Sequence, residues 1–436
     1  MPLDDPRGLR LTGSAPAALD RYEAALDDVL SFHGDPIGGA DAALATDPSL
    51  VSAHLLKAHV FAFSLHPGLL PKAAACLDAA EALAAEPRER THAAAARAWL
   101  EGRVETARSA FANILDDHPR DLLALFFAHQ ADFFGADESA LLGRPERALA
   151  AWPAGLTGRG YVEAMCAFGL EEAGRYAEAE AMARGALDAN PRDAWAIHAV
   201  AHVLEMQGRD TEGIDWYAER RADWAEDCFF AVHNWWHWAL YHVDRDDPTA
   251  ALAIYDEGLA PHRRSITLNL CDAASLLWRL ALGGHDTGDR FGALAAAFDE
   301  PAKRPCHVFN DVHAMLAFVG AGRRQRAAEH LAGLVSVAEG RDRHAEMLRM
   351  IGVPVARAFL DFADGRFAEA FGELERALPR APLMTGSKAQ RDVLEMTLIE
   401  AAIGAGEREA AARHLRARLT SKPESARIAR DLRRCG

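Results

Sequence analysis

Apolar residues recur along this chain at the spacing of one helix face, and each such stretch is followed by a second one after a short turn. Glycine followed by arginine marks these turns, at Gly102, Gly174, Gly208, Gly322 and Gly365. Glycine suits these positions because it adopts the left-handed conformation that ends a helix. The sustained period-two alternation of strands is absent from the sequence. The pattern predicts a chain of paired α-helices.

The spacing of the turns predicts how the helix pairs are arranged. Gly174 and Gly208 are 34 residues apart, which is the period of tetratricopeptide repeats, and Gly102 precedes Gly174 by 72 residues, close to two periods. We therefore expect an all-α protein, a tetratricopeptide-type α-solenoid. Its antiparallel helix pairs are expected to wind into a right-handed, strongly curved or closed superhelix.

A single helical repeat array is expected to run from residue 1 to 436. Two stretches rich in glycine and proline, 135–160 and 283–305, interrupt the repeat spacing and are interpreted as loops or insertions. They divide the array into N-terminal repeats (1–134), central repeats (161–282) and C-terminal repeats (306–436).

Composition excludes several classes of partner. The formal net charge is −16 and no basic patch with interleaved aromatic residues occurs, so nucleic acid is not expected to bind. No apolar run approaches the roughly 20 residues that span a bilayer. The N-terminus also lacks the apolar core of a secretory signal, so we expect a cytoplasmic protein that is not bound to a membrane.

The most informative polar pattern is a pair of His-x-x-x-His sequences, His198 with His202 and His233 with His237. Residues four apart share one face of a helix. The two pairs are 35 residues apart, about one repeat, so the corresponding helices should stack and bring four imidazoles together.

The same repeat step selects further polar residues, and aromatic residues flank the histidines. First helices of tetratricopeptide repeats line the concave surface, so these residues predict a concave pocket for a small polar molecule. Arg391 could hold a ligand carboxylate or form an ion pair with Glu395 on its own helix. The predicted ligand-binding residues are His129, Asp132, His198, His233, Asn234, Trp235, Tyr241, Asp311, His313 and Arg391.

Two kinds of chemistry remain open for this pocket. The four histidines, His198, His202, His233 and His237, are candidate ligands for a divalent metal such as zinc, iron or manganese. Without metal, His202 and His237 could act as catalytic acid-base groups beside Glu205. A buried histidine is also commonly a core residue bonded to a backbone carbonyl. No motif for a serine nucleophile, a phosphate loop or a dinucleotide site is present in the sequence.

Several blocks carry a resemblance to a known family: WAIHAVAHVLEMQGR from Trp195, VHNWWHWALYH from Val232 and FNDVHAMLAFVGAGR from Phe309. From about His54 to Glu400 the chain resembles the tetratricopeptide repeat protein 38 family. The resemblance implies a helical repeat fold without a defined activity. It also implies that the histidines and acids of these blocks belong to the family's distinctive sequence.

The alternative function is that of a non-enzymatic scaffold whose groove binds a peptide or a partner protein, as in most tetratricopeptide proteins. Such grooves usually bind an acidic peptide end through basic residues. The polar track here consists of histidine, carboxylate and tryptophan, which favours the small-molecule pocket.

Overall fold

The computed structural model describes residues 3–64, 66–262, 266–300 and 307–436, and most of them are helical. The strands in this part are Leu3–Asp4 and Arg10–Leu11, which pair antiparallel. The α-helices are, in chain order, α1 (Pro16–Ser31), α2 (Pro36–Thr46), α3 (Val51–Phe63), α4 (Leu70–Leu83), α5 (Pro87–Leu100), α6 (Val104–Asp117), α7 (Leu122–Phe134), α8 (Glu138–Leu149), α9 (Arg159–Glu172), α10 (Tyr176–Ala189), α11 (Ala194–Met206), α12 (Asp210–Glu219), α13 (Arg221–Trp224), α14 (Ala231–Asp244), α15 (Pro248–Ile254), α16 (Thr267–Leu282), α17 (Arg290–Phe298), α18 (Val308–Gly320), α19 (Arg324–Ala338), α20 (Arg343–Met347), α21 (Val353–Ala363), α22 (Phe367–Ala377), α23 (Lys388–Ala405), α24 (Arg408–Ser421) and α25 (Ala426–Cys435). Short 3-10 turns lie at Pro67–Leu69, Ala260–His262 and Leu378–Met384, and π turns at Tyr255–Leu259 and Leu348–Gly352.

The turns of the helix pairs form where the sequence predicts them. The glycines Gly102, Gly174, Gly208, Gly322 and Gly365 all have positive φ, between 66° and 78°. Each lies between two consecutive helices, and the helices that flank Gly102, Gly174, Gly322 and Gly365 pack side by side, as α9 and α10 do. The prediction of an all-α chain of tetratricopeptide-type helix pairs is confirmed, and the closure of the superhelix stays a prediction.

The two stretches interpreted as loops or insertions contain helices. Helix α8 lies within 135–160, with Pro145 inside it, and helix α17 lies within 283–305. Residues 301–305 of the second stretch lie outside the described residues. The loop interpretation is therefore wrong for both helices. Gly143 and Pro145 lie inside α8 and Gly292 lies inside α17, so these residues do not end a helix here.

The chain divides into two compact units. The first consists of Met1–Val200 and Ala222–Phe230, the second of Ala201–Arg221 and Ala231–Gly436. The boundary between Val200 and Ala201 lies within α11. The single array expected from residue 1 to 436 stays a prediction.

In the first unit, the end of α1 contacts residues far along the chain. The hydroxyl of Tyr161 donates to Asp27 at 2.6 Å, and the amide of Phe229 donates to the carbonyl of Phe32 at 2.9 Å. These bonds hold α1 against α9 and against the segment that precedes α14.

In the second unit, α14, α16 and α18 pack in succession, and α23 packs on α16. Trp278 donates from its indole nitrogen to Thr397 at 2.9 Å, and Arg279 donates to the carbonyl of Ala389 at 2.7 Å. The beginning of α23 is thereby fixed beside α16. In the described part of the chain, none of the helices combines the length and the hydropathy that crossing a bilayer requires.

Candidate functional site

Three buried or half-buried histidines of the second unit converge on one point. His202 lies on α11, and His233 and His237 lie one turn apart on α14. Their ring nitrogens lie within 4.8 Å of one another. The Nε2 atoms of His233 and His237 are 3.2 Å apart, and the ring centroids of His202 and His237 are 4.5 Å apart. Three of the four imidazoles that the repeat step selects, all of them in the second unit, therefore lie together.

Carboxylates hold the outer nitrogens of the two histidines on α14. His237 contacts Glu205 through Nδ1 at 2.8 Å, and His233 contacts Asp272 through Nδ1 at 2.8 Å. A carboxylate on Nδ1 fixes both the ring orientation and the tautomer, and leaves Nε2 as the inner atom. The order Glu205, His237, His233, Asp272 forms one hydrogen-bonded row, here called the histidine–carboxylate row.

The histidine–carboxylate row is almost wholly removed from water. The side chains of His237, Glu205 and Asp272 are 0%, 5% and 5% exposed, and His233 is 13% exposed. Burial raises the pKa of Glu205 to about 7, against the opposing effect of Lys422. Buried polar groups of this kind are costly unless they are satisfied by one another or by a bound species.

Residues at the start of α23 contact Asp272. The amide nitrogen of Gln390 lies 3.5 Å from the second carboxylate oxygen of Asp272. The side-chain oxygen of Gln390 accepts from the backbone of Ser387, whose hydroxyl accepts from the backbone of Gln390. This capping box starts α23 and holds Gln390 against α16.

Three of the predicted ligand-binding residues belong to the first unit. His129 is buried edge-on to Phe168 and Trp195, and burial lowers its pKa to about 3. His198 packs on the same two rings, with centroids 5.5 and 5.0 Å away. Their environment is that of a packed aromatic layer.

Asp132, also in the first unit, has both oxygens engaged by arginine. Arg108 donates to it at 2.8 Å, and Arg144 donates at 2.7 and 3.1 Å. These arginines come from the second helices α6 and α8. Asp132 thus joins three helices, and we do not include it in the candidate site.

Among the aromatic and amide residues of α14, Trp236 stacks on His233 of the histidine–carboxylate row, whereas Asn234, Trp235 and Tyr241 make contacts with other residues. Asn234 accepts from the hydroxyl of Tyr217 at 3.1 Å. Trp235 stacks on Trp238, with centroids 5.2 Å apart. Tyr241 donates to the carbonyl of Ala201 at 2.7 Å. Trp235 and Tyr241, which are predicted as ligand-binding residues, are thus engaged in contacts with other side chains and with the backbone.

The remaining predicted residues lie later in the second unit. Asp311 contacts Nε2 of His344 at 2.6 Å. His313 donates from Nδ1 to the carbonyl of Phe309 at 2.7 Å, and burial lowers its pKa to about 4. Arg391 donates to the carbonyl of Gly386. Glu395, which the sequence suggests as an ion-pair partner of Arg391, binds His414 and Arg418 of α24.

Asp272 and Gln390 are the residues that the site prediction omits. Asp272 had a signal, since the repeat step from His233 reaches Asn269 on α16 and Asp272 lies one turn further on. Gln390 is 118 residues away from Asp272, so no repeat period connects the two.

The chain matches no protein-family model, so the resemblance to the tetratricopeptide repeat protein 38 family stays an expectation. Among solved structures, it is similar to a tetratricopeptide repeat protein from Parabacteroides merdae, with 16% identity, 64% of this chain and 99% of that chain covered, and a TM-score of 0.36. It is also similar to the human IFIT1 dimer with m7Gppp-AAAA, with 15% identity, coverage of 97% and 94%, and a TM-score of 0.43. For the APC/C hetero-tetramer Cut9-Hcn1, the identity is 12%, the coverage 96% and 83%, and the TM-score 0.42. The fold assignment therefore depends on this chain's own helix pairs and turns.

Proposed function

We propose that this chain is a helical repeat protein that binds a small polar molecule at the histidine–carboxylate row and His202. The observation that carries the proposal is the buried row itself, with its carboxylates outside and the imidazoles of His233 and His237 inside. An apolar packing layer does not need two carboxylates and three imidazoles, and burying them costs several kcal/mol unless each has a partner. The inner nitrogens of these imidazoles are the atoms through which a polar ligand would be held.

The proposal is tested with untagged, full-length protein. Native mass spectrometry measures retained small molecules, and thermal unfolding is followed with a panel of small carboxylates, amines, amino acids and sugars. A ligand at 100 times its Kd stabilises the folded state by about 2.7 kcal/mol. We expect at least one compound to raise the Tm of the wild type, and His237→Gln to abolish that rise.

The matched control is His330→Gln. His330 is a buried histidine of the same unit whose Nε2 donates to the carbonyl of Asp311, outside the histidine–carboxylate row. This variant should keep the ligand response. If no compound in the panel binds, or if His237→Gln responds as the wild type does, the small-molecule proposal is wrong and the peptide-binding scaffold becomes the better account.

A further inference from the structure

The inner nitrogens of His233 and His237 face each other with their outer nitrogens already engaged. Each Nδ1 lies 2.8 Å from a carboxylate oxygen, so in the neutral imidazole the proton resides on Nδ1 and donates to that oxygen. Both Nε2 atoms then carry a lone pair, and they lie 3.2 Å apart. Two lone pairs at this distance repel each other unless a cation lies between them.

We propose that this cation is a divalent transition-metal ion, bound by Nε2 of His233 and His237 and by a ring nitrogen of His202. The ion would be the group through which the small polar molecule binds, and this part of the proposal rests on the proposed function. The metal itself is a separate claim with its own readout.

The separation of the two Nε2 atoms fits a tetrahedral metal. Zinc lies about 2.0–2.1 Å from a histidine nitrogen, and a tetrahedral angle then places two such nitrogens about 3.3 Å apart. The observed distance between the Nε2 atoms is 3.2 Å. The planes of these two rings are inclined by 86°, so the rings do not stack, and their nitrogens can point at one ion.

His202 completes a three-histidine set. It is fully buried on α11, its ring is inclined by 58° to that of His237, and its nitrogen belongs to the group within 4.8 Å. Nitrogen donors select zinc and neighbouring transition metals over calcium and magnesium, which prefer oxygen. A bound ion of this kind would present a group to which an oxygen or nitrogen atom of the small molecule can bind.

The two carboxylates match the outer contacts of metal-bound histidines. A histidine that binds a metal usually donates its other N–H to a carboxylate or a carbonyl. Glu205 and Asp272 provide this contact to His237 and His233 respectively. In their ionised forms they would also balance the charge of a divalent ion in a site closed to water, which lowers the cost of burying it.

The experiment uses untagged full-length protein and the metal alone as probe. Plasma mass spectrometry measures the metal content after purification, and the protein is then stripped with a chelator and titrated with ZnCl₂ or CoCl₂. We expect about one equivalent of metal per chain, with the visible absorption of tetrahedral Co²⁺. His233→Gln and His237→Gln should lose that band, whereas His330→Gln should retain it.

Two further variants keep the test valid if the histidine variants do not fold. Asp272→Asn and Glu205→Gln preserve the ligands and should weaken Co²⁺ binding by about 10- to 100-fold. The proposal is overturned if the stripped wild type binds neither metal, which would indicate a proton shared between the two Nε2 atoms. It is also overturned if the four variants bind Co²⁺ as the wild type does. If the protein binds a small molecule but no metal, the proposed function stands and the metal site is wrong. If it binds metal but no small molecule, the metal site stands and the proposed function is wrong.

Discussion

The first unit contains a second buried histidine pair, and its nitrogens are as close as those of the histidine–carboxylate row. Nε2 of His59 and Nδ1 of His92 are 3.2 Å apart, the same distance that separates Nε2 of His233 from Nε2 of His237. All four rings are buried or nearly so. Distance and burial alone therefore do not distinguish the two pairs.

The partners of the first pair neutralise one another within the protein. His92 contacts Asp121 through Nε2 at 3.0 Å, and Asp121 also binds the guanidinium of Arg88 and accepts from the amide of Ala124. Burial acts to raise the pKa of Asp121, but His92 and Arg88 hold it well below its usual range. Burial lowers the pKa of His59 well below its ordinary value, so its ring stays neutral. The hydrogen-bonded chain from Arg88 through Asp121 and His92 therefore ends at a neutral group.

The histidine–carboxylate row differs at both ends. A carboxylate lies outside each histidine, and within the described residues neither Glu205 nor Asp272 forms an ion pair with arginine or lysine. In the first unit the carboxylate has a guanidinium within ion-pair distance, whereas among the described residues of the second unit Lys422 and Arg279 act on Glu205 without forming an ion pair with it. The difference teaches that the charge around a histidine pair, more than its geometry, separates a packing element from a candidate metal site.

The largest expected effect comes from breaking the first pair's charge balance. Arg88→Met leaves Asp121 buried without its guanidinium, and removing one partner of a buried ion pair costs about 3–5 kcal/mol. Urea unfolding followed by circular dichroism measures this loss. Metal binding in the second unit should be unaffected. If Arg88→Met still folds but no longer binds Co²⁺, the two histidine pairs are not independent of each other.

The second prediction concerns the response of each pair to zinc. At 100 times its Kd, zinc should raise the free energy of unfolding of the wild type by about 2.7 kcal/mol. His92→Gln should keep this increment although it is less stable, and His233→Gln should lose it. Equal increments in both variants would show that zinc does not distinguish the two histidine pairs.

Sequence reasoning found the histidines of the second unit because they recur at the repeat step. His202, Glu205, His233 and His237 lie on first helices, and a period of 35 residues aligns such helices. The same step leads to Asp132 in the first unit, where Arg108 and Arg144 bind both carboxylate oxygens. The arginines that bind Asp132 come from second helices, and no period of the first helices reveals them.

The fold was predictable for a similar reason, and its errors are local. Left-handed glycines at the turns specify the helix pairs, and the structure has them at those positions. The helices α8 and α17 were missed because their glycine and proline content resembles that of loops. Gln390 could not be assigned to the site, since its approach to Asp272 depends on how α23 packs on α16.

The third prediction extends the comparison to a carboxylate without an arginine. Asp193 accepts from the amides of Trp195 and Ala196 at the start of α11, much as Asp121 does at the start of α7, but burial raises its pKa to about 7. A raised pKa means that the folded state binds the proton more tightly, so stability is greatest at low pH and falls as the pH rises from about 4 to about 7.

Asp193→Asn removes this titration while keeping an acceptor for the two amides. The difference in unfolding free energy between variant and wild type should therefore grow in favour of the variant by up to about 1.4 kcal/mol per pH unit in that range. Urea unfolding at about pH 5 and about pH 7.5 measures it. A difference that does not change with pH would mean that Asp193 is stabilised as strongly as Asp121.

The smallest expected effect lies at the outer edge of the histidine–carboxylate row. Gln390→Met removes the amide that lies 3.5 Å from Asp272, while Asp272 keeps its contact to His233. Because Gln390 contacts the histidine–carboxylate row through Asp272 and not through a histidine, the Kd for Co²⁺ should rise by less than about tenfold, a smaller change than Asp272→Asn produces. Gln390→Glu separates this contact from the capping box, since it retains an acceptor for Ser387 but brings a second carboxylate to Asp272. If Gln390→Met weakened Co²⁺ binding more than Asp272→Asn did, the capping box of α23 would matter more for metal affinity than the contact between Asp272 and His233. The expected decrease in effect from the carboxylate to the amide would then be wrong.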